Sequence, residues 1–334
     1  MLGLVGILLL VAAACAVGSL NRDIFSAKGF VSQYLTSLQH HDAASALSMP
    51  GVLPAPAAIS SGGSADPAPT PSEVLLRNSA LGDISNIQIL DEAAQPDGTR
   101  IVSASYVVGT TPATGMFRVV DTGNMFLVFD TWAFATPPLG TVTVTVLHDS
   151  VFSVGTSGLI DVRATHPTTS SAFGAVGTYL VLAPGAYTFG QTSSLSTAKH
   201  VTATVAGPHA TAEVLVDVEA NTTFNAEVQK QIDDFLDTCV TQVVLQPTGC
   251  PFGYQTGNRL VGEPTWSVSA YPVVSVVAGE TGWVVRNAVG KVELKGELRS
   301  LYDGTVTPLD DIIDAVFNLN ITIQPDHSLL ISLI

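Results

Sequence analysis

Several short stretches of this chain set reactive residue types side by side. His148, Asp149 and Ser150 are the types of a Ser-His-Asp triad, but neighbours on a strand point to opposite faces and cannot converge on one substrate atom. Gly155-Thr156-Ser157-Gly158 falls one residue short of a nucleophile elbow and precedes a strand where the elbow needs a helix. In His40-His41-Asp42 the adjacent imidazoles diverge on a helix, which predicts a capped, solvated helix end. Asp233, Asp234 and Asp237 place two carboxylates on one helical face, a solvated acidic face with calcium binding as the alternative, and Asp310, Asp311 and Asp314 read the same way. Asn221-Thr222-Thr223 and Asn320-Ile321-Thr322 match glycosylation sequons. None of these assembles a catalytic centre, so the expectation is a protein without catalysis, without a metal site and without a cofactor.

Outside the first twenty residues there are two cysteines, Cys239 and Cys250, eleven positions apart. The first ends a strongly helical stretch and the second follows Pro247-Thr248-Gly249, so a turn can bring them together. The expectation is a disulfide, worth about 3 kcal/mol in the chain-entropy model, and an oxidising compartment; two separate buried thiols are the alternative. No histidine lies at ligand spacing from either, which argues against zinc.

Residues 1–20 carry no charge and the chain turns polar at Asn21, Arg22 and Asp23. Twenty helical residues span about 30 Å, a bilayer's hydrocarbon core. This predicts a single-pass transmembrane helix, with a lipoprotein anchored at Cys15 or cleavage after Ala12-Ala13-Ala14 as alternatives. Arg22 after the span would by itself hold the bulk in the cytoplasm. The missing basic flank instead suggests a start upstream of Met1 and an extracytoplasmic body.

Charged residues make up 12% of the chain and hydrophobic ones 46%, ample for packed cores. The 28 acidic and 13 basic side chains leave a net charge of −15, which repels nucleic acid and anionic headgroups. A partner is expected among wall polymers or envelope proteins.

The elements fall in three groups. Residues 21–138 begin with a helix whose apolar face is Ala27, Val31, Tyr34, Leu35 and Leu38. Asp42 caps a second turn through Ala46, Leu47 and Met49, and a Pro-rich loop follows at 50–71. Thr70-Pro71-Ser72-Glu73 reads as a capping box opening a helix through Leu75, Leu76 and Leu81. Strands over Ile84–Leu90, Arg100–Val108, Gly115–Val120 and Met125–Phe134, with turns at Asp97-Gly98 and Asp121-Thr122-Gly123-Asn124, complete an α+β layer. Pro137 and Pro138 mark a boundary, after which residues 139–221 show only short strands, the pattern of a β-sandwich. In residues 222–334 a helix starting at Asn225, with Val228, Ile232, Phe235, Leu236, Cys239 and Val243 on its face, leads strands around Trp266, Val273–Val277, Trp283–Arg286, Val292–Tyr302, Phe317–Ile323 and Leu329–Ile334. The fold class is multidomain: α+β, then all-β sandwich, then a second α+β, behind an N-terminal transmembrane helix.

The uncharged anchor, the lead helix with its Tyr-Leu-x-x-Leu stretch, the turn Leu-Val-Leu-Ala-Pro-Gly-Ala-Tyr-Thr at 180–188, and Cys239 with Gly-Cys-Pro-Phe-Gly at 249–253 together resemble the TcaA family of envelope proteins from Gram-positive bacteria. The flanking domains look like the cone-shaped α+β fold of nuclear transport factor two, and the Ala-rich, Lys-poor composition suits an actinobacterial source. The resemblance implies a membrane-anchored, extracytoplasmic binding or structural module of the cell envelope. Some cone-like domains hold an apolar pocket with a buried acid or base. Its lining here would be Tyr34, Tyr106, Asp130 and Trp132, and a deep cavity at these four would favour a small-ligand carrier or an isomerase-like enzyme.

Overall fold

The computed structural model describes residues 25–54, 70–125, 129–167, 170–171, 173–324 and 328–334. The predicted transmembrane helix at 1–20 with Cys15, and most of the Pro-rich loop at 50–71, lie outside them. Among the described residues no helix is long and apolar enough to cross a membrane. The chain divides into two compact units, residues 25–191 with 199–217, and residues 192–198 with 218–334.

In the first unit, helix α1 (Ala27–Gln39) starts where the Ser26 hydroxyl accepts a bond from the Gly29 N–H, 3.0 Å. It buries the face read from the sequence: Ala27, Val31, Tyr34, Leu35 and Leu38. Asp42 caps α2 (Ala43–Ser48) through the Ser45 N–H and hydroxyl, and these bonds hold its carboxyl below the usual range. Strands β1 (Ile84–Ala94), β2 (Thr99–Val108), β3 (Thr111–Met125) and β4 (Phe129–Phe134) form an antiparallel sheet in sequence order. Its inner face, with Val102, Ala104, Phe117, Val119 and Phe134, packs on α1 in one core.

Two local expectations fail here for identifiable reasons. The capping box at Thr70–Glu73 opens no helix: the Ser72 N–H donates to Thr178 and the Ser72 carbonyl accepts from Leu180, a parallel bridge that pre-empts helical bonding. Only a 3-10 turn, Asn78–Ala80, follows. Asp121-Thr122-Gly123-Asn124 makes no turn either. It is a bulge inside β3, where register slips between Asp121 and Gly123, and pairing continues to Met125 opposite Phe129.

The expected sandwich is one continuous sheet. Strands β5 (Leu139–Leu147), β6 (Val151–Val154), β7 (Ile160–Asp161), β8 (Ser170–Ser171), β9 (Gly174–Leu182), β10 (Gly185–Thr192), β11 (Ser196–Val205) and β12 (Thr211–Ala220) bond in the order β7-β6-β10-β11-β12-β5-β9-β8. A short helix, α3 (Val162–Thr165), follows β7. Phe152 of β6 and Tyr179 of β9 lie near opposite margins of this order, yet their rings meet edge-on at 5.3 Å. The sheet is therefore rolled until its inner faces pack on each other. The Ala183-Pro184-Gly185 turn links β9 to β10 as read, and Ala183–Pro184 is a cis peptide. Pro138 lies inside this unit, its carbonyl bonded by the Tyr34 hydroxyl and the Ala183 N–H.

In the second unit, α4 (Thr222–Cys239) is capped by Asn221, four residues before the start read from the sequence, and Val243 falls beyond its end. Strands β13 (Arg259–Ala270), β14 (Val277–Ala278), β15 (Trp283–Arg299), β16 (Val306–Ile323) and β17 (Leu329–Leu333) form the sheet, ordered β13-β15-β16-β17 with β14 pairing β15. The strand expected at Val273–Val277 is reduced to Val277–Ala278. Side-chain carbonyls of Gln229 and Asn225 take the N–H groups of Val274 and Val276, at 3.0 and 2.8 Å, so that segment is strapped to α4 instead of to a strand. The two strands expected at 283–286 and 292–302 are one strand, bulged between Val285 and Ala288.

Candidate binding cleft

Of the four residues expected to line a pocket in the first α+β layer, Tyr106 borders a groove of about 390 Å³, and the polar groups of all four are engaged by other parts of the chain. Tyr34 is fully buried, and its hydroxyl lies 2.9 Å from the carbonyls of Pro138 and Ala183. Burial, reinforced by the nearby Tyr187 hydroxyl, pushes its pKa well above the ordinary tyrosine value. The Tyr106 hydroxyl donates to the carbonyl of Ala206, 2.7 Å, and the Trp132 indole N–H to that of Phe25, 2.8 Å. Asp130 sits on β4, where it accepts from the Asn124 side-chain amide, 2.8 Å. Each of the four thus serves a different partner. The polar tips are spent on backbone carbonyls, which is how a filled core satisfies its aromatic residues.

The other reactive-looking stretches are dispersed. His148 turns through a left-handed backbone (φ 65°) and pairs with Asp217 of β12 at 3.1 Å, while Asp149 accepts from the Ser150 N–H and from Gln191. Ser157 accepts from the Val154 N–H in the turn after β6. His41 reaches Asp83 at 3.3 Å. Asp233 accepts from Gln229, Asp234 pairs with Lys230, and Asp237 accepts from the Tyr271 hydroxyl at 2.6 Å. Among the described residues no three His, Cys, Asp or Glu side chains cluster as metal ligands.

Open apolar clefts are present in both units: one of about 260 Å³ in the first, bordered by Pro54, Pro137, Leu139 and Leu180, and one beside α4 in the second. The spacing of Phe224, Val228, Ile232, Leu236 and Cys239 turns one face of α4 onto the sheet, where Phe224 meets Trp283 edge-on at 5.6 Å. Phe235 sits one step round the helix and meets Phe317 of β16 edge-on at 6.2 Å. Beyond that contact the sheet ends with the five residues of β17, leaving space between helix and strand edge. Gln231, Ile232 and Phe235 form one wall, Phe317 and Leu319 the floor, and Ile331 and Leu333 the other wall of a cleft of about 250 Å³. That is smaller than the roughly 300–1,000 Å³ of a small-molecule site. It suits apolar side chains better than a whole metabolite. The groove of about 390 Å³ at the first sheet has a mixed lining, with Asn86, Gln88, Ser105 and Thr114 beside Tyr106, Val107 and Pro112.

The helix end beside this cleft is locked. Cys239 and Cys250 form a disulfide, with their α-carbons 5.9 Å apart, which closes the loop after α4. The Phe252 ring then packs on Trp266, 4.9 Å between centroids, and the Trp266 indole donates to the Val244 carbonyl.

Sequence reasoning placed Ile232 and Phe235 on an apolar helix face but did not foresee the cleft. The available signal was the run Leu329-Leu330-Ile331-Ser332-Leu333-Ile334, six uncharged residues of which five are large and apolar. No family model matches the chain, and neither the curated proteins nor the solved structures compared with it contain a match.

Proposed function

We propose that this protein is a membrane-anchored, extracytoplasmic module of a bacterial cell envelope that works by binding rather than by catalysis, held by its N-terminal helix and engaging a wall polymer or another envelope protein. The observation that carries the reading is the Cys239–Cys250 disulfide, because such bonds persist in oxidising compartments outside the cytoplasm. The uncharged segment 1–20 supports the anchor. The open cleft beside α4 supports binding, and the net charge of −15 disfavours nucleic acid as the ligand. In this reading both helix-on-sheet layers are versions of the cone-like plan of nuclear transport factor two, flanking the rolled sheet as in TcaA-like ectodomains.

The test is cysteine labelling in intact cells. The expected result is that Cys239 and Cys250 resist a membrane-impermeant maleimide until an external reductant is added, then react. Labelling without reductant, and only after the membrane is breached, would overturn the extracytoplasmic assignment. Capture with the body from Asn21 onward should then recover wall fragments or an envelope protein; turnover of a small molecule instead would overturn the non-catalytic reading.

A further inference from the structure

Edge strands are normally shielded from pairing with other chains by charge, proline, bulges or brevity. β1 carries Asp91 and Glu92 and two register shifts. β13 carries Gly262, Glu263 and Pro264 and two register shifts. β7 and β8 have two residues each. β17 has none of these devices: it pairs with β16 without a shift from Leu319↔Leu333 to Ile323↔Leu329 and contains neither charge nor proline. Leu330 and Leu333 are about half exposed, at 58% and 50%.

The direction of its free hydrogen-bonding groups follows from one bond. The Ile334 N–H donates to the Asn318 carbonyl, 2.9 Å, so that pair is hydrogen-bonded. By antiparallel alternation Ser332 and Leu330 also face β16, while Leu329, Ile331 and Leu333 turn their N–H and C=O groups outward. Two of those three, Ile331 and Leu333, also line the cleft with their side chains. A strand laid along this edge would meet unpaired backbone groups and, on the same residues, an apolar recess beneath α4.

We infer that β17 is a docking edge for an extended peptide segment of a partner protein, one with apolar residues at alternate positions and basic flanks. Backbone bonds supply the affinity and the recess selects the alternate side chains, as in other β-augmentation sites. Charge chooses between occupants: the chain carries a net −15, which opposes a second copy and attracts a cationic flank. The inference deepens the binding reading above and rests on it.

The test measures binding of a peptide alternating Val and Thr between terminal lysines to the full chain in detergent, by fluorescence anisotropy. In antiparallel pairing the peptide residues whose amides face β17 have side chains facing the recess, so N-methylation of the Val amides should weaken binding by about tenfold or more. N-methylation of the Thr amides should leave it within about threefold. Ile331→Pro, which deletes an outward N–H and spares the bonds to β16, should weaken binding similarly. Should that variant misfold, the methylated peptides still decide the matter. Equal loss with both methylated peptides, or no binding of the parent peptide, overturns the proposal. So does a concentration-dependent dimer in sedimentation velocity that Ile331→Pro abolishes, since it assigns the edge to a second copy. None of these readouts depends on cellular location, so the maleimide experiment can fail or succeed separately.

Discussion

The layer of α1 on β1–β4 and the layer of α4 on β13–β17 share a plan, one long amphipathic helix over an antiparallel sheet, and they part at the margins. In the first, aromatic side chains fill the space under the helix, with Tyr34 against Phe134 at 5.1 Å and every polar tip bonded to a carbonyl. In the second, the ring contact between Phe235 and Phe317 is the last before an open recess. A difference of a few side chains at one sheet edge separates a filled interior from a receptive one. A helix-on-sheet layer is therefore left open where its sheet stops short of its helix, not where its aromatic residues are most numerous.

That contrast can be tested from its largest consequence downward. Leu35→Ala should cost the first unit about 4 kcal/mol, because the cavity is sealed on all sides, while Ile232→Ala should cost the second only about 2 kcal/mol, because it enlarges space already open. Native-state hydrogen exchange at α1 and α4 reads the two separately, and equal costs would erase the distinction. Replacing both Cys239 and Cys250 with serine should lower the second unit's stability by about 3 kcal/mol and leave the first unchanged, in the same measurement. Filling should discriminate as well. Leu38→Phe overpacks a closed core and should destabilise by about 1–3 kcal/mol, whereas Leu319→Phe fills the recess and should stay within about 0.5 kcal/mol while abolishing hydrophobic-dye binding.

The smallest effect concerns the helix caps. Bonds from Ser45 lower the folded-state pKa of Asp42 below its unfolded value, so its stabilisation is fully present above the ordinary carboxylate range and is lost as pH falls through the lowered value. Asn221, which caps α4, does not titrate. Acid should therefore loosen the start of α2 and spare the start of α4, as followed by the Ser45 and Phe224 amide shifts. Parallel behaviour of the two amides would contradict it.

Much of the framework was legible because local periodicity and tertiary packing agree. The α1 face is the one spaced at i, i+4, i+7, i+8 and i+11, and the Asp97-Gly98 turn sits between the strands it should join. The failures are places where a distant segment outbids a local preference. Thr70-Pro71-Ser72-Glu73 has the residues of a capping box, but the Ser72 backbone is recruited by Thr178 and Leu180, more than a hundred residues on. Val274 and Val276 alternate like a strand, and amides from α4 take their backbone N–H groups. The Cys239–Cys250 pairing was readable because eleven residues and a Pro-Thr-Gly turn confine it. The recess was not, because it depends on where β17 ends relative to α4, a relation between elements that no local pattern encodes.

The Tyr34 hydroxyl sets a practical limit on how the molecule can be cut. Its acceptors belong to Pro138 and Ala183, and a fragment that ends at residue 138 loses the second of them. The same cut would strip Ser72 and Asp83 of their backbone partners at Thr178 and Ala186. A recombinant fragment ending at residue 138 would expose raw hydrogen-bonding surface, so an expressible piece of this half must carry the rolled sheet with it.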